Sequence, residues 1–156
     1  MVAAFKGGSA DIPSSIGKVE EYTTTLRDKY GVKIYDTIQE VCANVDAVLI
    51  QAVDGRPHLE QARIVIAAKK PLYIDKPLAG SLADAIAIQK LSEHFKTKWF
   101  SSSSLRFSPS IWKYRSNPQQ KVLGAFSWGP CSLEPTHPDL YWYGVHGCET
   151  LYTAMG

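Results

Sequence analysis

Pro71-Leu72-Tyr73-Ile74-Asp75-Lys76-Pro77 is the stretch whose reading decides the fold. The apolar residues Leu72 to Ile74 predict a short strand, and the charged pair Asp75-Lys76 followed by Pro77 ends it. A helical pattern follows at once, with Ser81 in the capping position and Leu82, Ala85, Ile86, Ile88 and Leu91 on the expected inner face. A strand that passes into a helix across a polar turn is half of a βαβ unit. Charged groups at the carboxyl end of such a strand stand where open α/β sheets bind their ligands.

The same alternation extends to both sides. Asp46-Ala47-Val48-Leu49-Ile50 is an almost continuous apolar run, which predicts a strand covered on both faces. Pro57 starts a helix reaching about Ala68, with Leu59, Ala62, Ile66 and Ala67 at helical spacing. Further upstream, Val2 to Phe5 reads as a strand. A Gly-Gly-Ser loop and a helix from about Ser15 to Tyr30 follow it, with Ser14 or Ser15 as the cap and Gly31 just past the end. Val32 to Tyr35 is a further strand, after which Asp36 is expected to cap a short helix carrying Ile38 and Val41. Downstream, Lys98 to Ser101 predicts the last strand of the series. Strand and helix in strict alternation imply an α/β fold, a parallel sheet with helices on both sides.

After Ser101 the texture changes. Ser101 to Ser104 is not read as a flexible linker, because Leu105-Arg106-Phe107 follows directly. Ser108-Pro109 starts a short helix bearing Ile111, Trp112 and Tyr114. Lys121 to Trp128 alternates enough to predict a strand in a second sheet, residues 129 to 142 read as loop, and a final helix begins near His146. The expected boundary places one domain at 1–104 and the beginning of another at 105–156.

The chain has 156 residues, 45% hydrophobic and 21% charged, which suits a globular core. Its formal charge of +2 is too small to argue for nucleic acid or an anionic membrane surface as a partner. No apolar run approaches the roughly 20 residues of a membrane-spanning helix. The first residues lack the basic start and long apolar core of a signal peptide, so a cytoplasmic setting is expected. Cys42, Cys131 and Cys148 are an odd set without close pairing, expected to be buried small hydrophobes and not disulfides or zinc ligands.

Several side chains could carry chemistry. Lys76 could hold a ribose hydroxyl or a substrate oxygen, and a cation there would stabilise an alkoxide as hydride leaves the adjacent carbon. Asp75 could orient Lys76 or accept a ribose hydroxyl. The plain alternative is a polar turn in which Pro77 only sets the backbone. His146 stands three residues before Glu149, on one helix face, and imidazole titrates near neutrality, so it is a candidate general base. A histidine bonded to a nearby carbonyl at a helix start is the competing reading. His58 follows Pro57 at a helix start, and Gln51, Ala52 and Asp54 share the loop after the strand ending at Ile50. Amides there could face a cofactor. Arg106 lies just past a strand end, either at the ligand or over Phe107 or Trp112. Lys6, with Ser9 nearby, occupies a strand end where an NAD site often has an acid, which would suit a 2′-phosphate. Here the alternative is a glycine turn with a solvated lysine, since Asp11 is also in reach. His137, Asp139, His146 and Glu149 are potential ligands in one short region, but no spacing rule unites them and no metal is expected.

Taken in order, Asp46-Ala47-Val48-Leu49-Ile50, His58, Asp75-Lys76-Pro77-Leu78-Ala79 and Leu105-Arg106-Phe107-Ser108-Pro109 resemble the Gfo/Idh/MocA family of oxidoreductases. The usual signature there is Glu-Lys-Pro-Leu-Ala, with Asp75 replacing the glutamate. The resemblance covers nearly the whole chain. It implies a Rossmann domain followed by an α+β substrate domain, NAD or NADP as cofactor, and a sugar, inositol or related polyol as substrate. It also implies that Lys76 stands near the nicotinamide and the reacting hydroxyl and that His146 is the catalytic histidine. The family often has an aspartate four residues before that histidine. Trp142 occupies this position, which leaves Asp139 and Glu149 as substitutes.

No Gly-x-Gly-x-x-Gly is present, and Val2 to Phe5 aligns better with the second strand of the family fold. The expectation is therefore a partial Rossmann-type sheet without its first strand, loop and helix, followed by the start of an α+β domain. Cofactor-binding residues are expected at Lys6, Ser9, Ile50, Gln51, Ala52, Asp54, His58, Asp75, Lys76, Pro77 and Arg106. The 156 residues alone are expected to bind dinucleotide weakly or not at all, and a homo-oligomer is expected of the full-length protein. The expected reaction is hydride transfer between a nicotinamide and a sugar- or polyol-like alcohol. A dinucleotide- or sugar-sensing module, and an NAD-retaining or metal-assisted glycosidase or isomerase, are the alternatives.

Overall fold

A computed structural model describes residues 1–117, 119 and 121–156. The chain forms two compact units, Met1–Phe100 and Ser101–Gly156. The first unit is the alternating one. It contains strands β1 (Ala3–Phe5), β2 (Lys33–Tyr35), β3 (Val48–Ile50) and β4 (Leu72–Asp75), and β5 (Trp99–Ser102) begins in it. Its helices are α1 (Pro13–Ile16), α2 (Val19–Thr24), α3 (Ile38–Ala43), α4 (His58–Ala67) and α5 (Leu82–Phe95). β1 and β2 pair in parallel with Ala4 opposite Ile34. β3, β4 and β5 form a separate sheet in that order, β3 and β4 being parallel with Ile50 opposite Ile74.

The alternation of strand side chains explains where the core sits. Ile50, Leu72 and Ile74 share one sheet face and are buried against Ala62, Val65 and Ile66 of α4 and Ile88 of α5. Only this face is covered. On the other, Leu49 and Phe100 are exposed and the Tyr73 ring packs at a tilt against Phe100 at 4.9 Å, so the expectation of strands covered on both faces does not hold within this unit. The inner face of α5 is also narrower than its sequence pattern: Leu82 and Ile86 are exposed, while Ala85, Ile88 and Leu91 pack inward.

Helix ends depart from expectation in instructive ways. Ser81 caps α5 by accepting from the Asp84 amide, as the sequence predicts. The cap of α3 is Thr37, not Asp36: its hydroxyl accepts from the Glu40 amide and the Glu40 carboxylate returns to the Thr37 amide. The long helix expected from Ser15 to Tyr30 is broken into α1, α2 and a wide turn over Thr25–Lys29. Ser15 does not cap it, because its hydroxyl accepts from the Ser9 amide. Gly31 does stop it, with a left-handed φ of 64°.

In the second unit, a tight turn over Ser104–Phe107 packs with α6 (Pro109–Arg115) and α7 (Val145–Met155). The strand expected from Lys121 to Trp128 is absent. That segment has no regular structure and no described strand pairs with it, and Leu123, Phe126 and Trp128 project as exposed side chains. Alternation alone cannot make a strand without a partner for its ladder bonds. Of the three cysteines only Cys42 is buried. Cys131 is exposed and Cys148 half-buried, which corrects the expectation for both. Among the described residues no helix is long and apolar enough to cross a membrane.

Candidate functional site

In the first unit the loops after β1, β3 and β4 are bound together by polar contacts and close backbone approach. Asp54 anchors the loop after β3. Its side chain is 2% exposed and accepts from the Ser9 hydroxyl, from the Arg56 amide at 2.9 Å and from the Arg56 guanidinium at 2.8 to 3.0 Å. Burial alone would raise the Asp54 carboxyl, but the hydrogen bonds from Arg56 and Ser9 outweigh it and hold the group at about 2. Arg56 also grips the Asp11 carboxylate with two bonds of 2.8 Å. One planar guanidinium thus spans two acids from two loops, a geometry lysine could not reproduce.

The loops after β3 and β4 interlock more tightly still. His58 is fully buried, with Nε2 3.1 Å from the Ala52 carbonyl and Nδ1 3.3 Å from the Leu78 carbonyl. Burial pushes the imidazole below its ordinary value, against the pull of those carbonyls. Two glycines make the approach possible. A Cβ on Gly55 would lie 2.7 Å from the Ala79 carbonyl group, and one on Gly80 would lie 2.9 Å from the Arg56 Cα.

Lys76 and Asp75 are half-buried at the carboxyl end of β4, where Asp75 accepts from the Tyr73 hydroxyl at 3.2 Å. Gln51 is exposed and Ala52 half-buried at the end of β3. Ile50, Asp54, His58 and Pro77, expected to line the cofactor, instead have buried side chains. Asp54 and His58 tie the loops together through the contacts just described. Lys6 is exposed and pairs with both oxygens of Glu20.

In the second unit, His146 and Glu149 lie on successive turns of α7 and are both held by Ser103. The Ser103 hydroxyl is 2.7 Å from His146 Nδ1, and the Ser103 amide donates to Glu149 Oε2 at 2.6 Å. Arg106 Nε lies 2.7 Å from Glu149 Oε1. The charges touch, but the N–H is misaligned and the contact is an ion pair without a hydrogen bond. Arg106, expected at the cofactor, is engaged here with the acid, and the Tyr143 ring packs edge-on against His146 at 5.0 Å. His137 bonds Thr136 and packs at a tilt against the Trp142 ring. No group of three His, Cys, Asp or Glu among the described residues is arranged to hold a metal.

Two participants escaped the sequence reading. Arg56 carries a local signal, since Asp54-Gly55-Arg56 fits an Asx turn in which the carboxylate accepts the amide two residues on. Ser103 carries none, because nothing in its neighbourhood points 43 residues ahead to His146.

Residues 14–100 match an oxidoreductase family with an NAD-binding Rossmann fold. Over 103 residues the chain is 34% identical to 4-carboxy-2-hydroxymuconate-6-semialdehyde dehydrogenase of Sphingobium sp. SYK-6, covering 64% of this chain and 32% of that protein. GenD2 from gentamicin A biosynthesis, solved in complex with NAD, superposes with a TM-score of 0.70 at 18% identity over 89% of this chain and 44% of its own. Biliverdin reductase from Synechocystis sp. PCC 6803, solved with biliverdin and NADP+, does so with a TM-score of 0.54 at 20% identity over 75% and 34%. At such identities the structural likenesses speak for the fold. The chain spans about a third of the length of the curated relative it matches. By its match over more than half its length, the chain belongs to the Gfo/Idh/MocA oxidoreductase family, whose nucleotide-binding domain is a Rossmann fold.

Proposed function

We propose that the protein acts as an NAD(P)-dependent oxidoreductase on a sugar- or polyol-like alcohol in a cytoplasmic setting. The observation that carries this reading is the half-exposed pair Asp75-Lys76 at the carboxyl end of β4, within a family of NAD-binding oxidoreductases. The residue types suit the nicotinamide end of a dinucleotide: an ammonium and a carboxylate on adjacent residues, fitted to ribose hydroxyls and a substrate oxygen. The chain has no three-glycine phosphate loop, so contacts to a pyrophosphate are not assigned to it. A bound nicotinamide supplies the two-electron acceptor for a hydride leaving the carbinol carbon.

The chain's own residues serve the oxygen. The Lys76 ammonium favours the negative charge that grows on it while the C–H bond breaks and the C=O bond forms. His146 exchanges the hydroxyl proton. Asp75 orients the lysine or a ribose, and the buried Asp54, His58 and Pro77 keep the loops in place around it.

The test is Lys76→Ala in the full-length enzyme, assayed by nicotinamide absorbance across a polyol and aldose panel. Loss of a fixed charge at a developing oxyanion lowers kcat by roughly 10²–10³-fold. Unchanged turnover on an established substrate would remove the lysine from the chemistry.

A further inference from the structure

We infer that Ser103 is the positioning residue that selects the tautomer of His146, placing the proton of the neutral ring on Nε2. The consequence for chemistry rests on the reading of His146 as the proton carrier, whereas the tautomer itself does not. Ser103 is wholly buried, and its hydroxyl oxygen already accepts from the Leu105 amide at 3.1 Å. A hydroxyl has one proton to give, and the acceptor the structure offers it is His146 Nδ1 at 2.7 Å. With the bond reversed, Nδ1–H would donate to the oxygen and the buried hydroxyl proton would be stranded. Nδ1 is therefore the lone-pair nitrogen and Nε2 the N–H.

The position of the ring is fixed as firmly as its protons. The main chain of Ser103 holds Glu149 and its side chain holds His146, so one residue clamps two successive turns of α7. Glu149, one turn further along α7, pairs with Arg106, and the Tyr143 ring packs edge-on against the imidazole. In this tautomer the N–H lies on Nε2, the form suited to a carbonyl or alkoxide oxygen. Accepting a proton at Nε2 requires the other tautomer, in which the Ser103 hydroxyl turns and accepts from Nδ1–H. Ser103 is thus a rotor with two settings, and burial favours the donating one.

The test is the ¹⁵N spectrum of the imidazole in the full chain near neutral pH, assigned with His146→Gln. The expected native result is a pyridine-like Nδ1 and a pyrrole-like Nε2. Loss of one hydrogen bond in Ser103→Ala lowers the Nε2–H to Nδ1–H ratio roughly two- to tenfold, whereas Ser103→Thr, which keeps the hydroxyl, preserves it. A protonated Nδ1 in the native chain, or an unchanged ratio in the folded alanine variant, overturns the assignment. If the alanine variant does not fold, the native and threonine spectra decide. Failure of the redox reading would appear as absent turnover in the full-length enzyme and would leave these spectra as they are.

Discussion

Replacing Asp54 with Asn removes a charge from the centre of the Ser9, Asp54, Arg56 and Asp11 network while keeping its volume. The carboxyl is held at about 2 against an ordinary 3.8. A carboxyl held that far below its ordinary value, at about 1.36 kcal/mol per tenfold change in acidity, contributes roughly 2–3 kcal/mol of folding stability. The side chain is 2% exposed, so solvent screens little of this. Its sign follows from the direction of the shift. The folded group is the stronger acid, so the stabilisation is complete above the unfolded value and is lost as pH falls from roughly 4 through roughly 2. Urea unfolding of the native chain and Asp54→Asn, followed by far-ultraviolet circular dichroism at several pH values, reads both quantities. The gap between the two proteins is expected to be about 2–3 kcal/mol at pH 7 and to shrink steadily below about pH 4. A gap of the same size at pH 3 and pH 7 would show that the carboxylate charge is not what stabilises the loops.

Two further outcomes test the architecture. Gly55→Ala forces a Cβ to within 2.7 Å of the Ala79 carbonyl, where backbone and not a flexible side chain must yield. An overpacking loss of roughly 1–3 kcal/mol in thermal or urea unfolding is expected, and a neutral effect would deny the close approach. Thiol labelling of the folded chain is expected to modify exposed Cys131 quickly and buried Cys42, whose thiol is pushed up by burial, only on unfolding. Equal labelling rates read by peptide mass would contradict the packing of α3.

The alternating half of the fold is legible from residue spacing because its strands are short and carry apolar residues between polar, glycine or proline boundaries. Leu72 to Asp75 and the Ser81 cap are local features, decided by the residues within a few positions of them. Legibility ends where a partner from elsewhere decides the outcome. Lys121 to Trp128 alternates, yet whether it pairs depends on a neighbouring strand. At the site, Lys76 and Asp75 could be picked out by type and place. The interior roles of His58 and Asp54 could not, because a polar residue in a loop gives no sign of which carbonyl or guanidinium will enclose it. Ser103 shows the same limit, since its partner is 43 residues away.

The meshing of residues 52–58 with 77–80 has a practical consequence for anyone redesigning this molecule. The Asp75-Lys76 turn cannot be transplanted into another scaffold, or exchanged for a homologue's version, as an isolated cassette. Gly55 and His58 would have to travel with Leu78, Ala79 and Gly80, because each segment is the mould in which the other is cast.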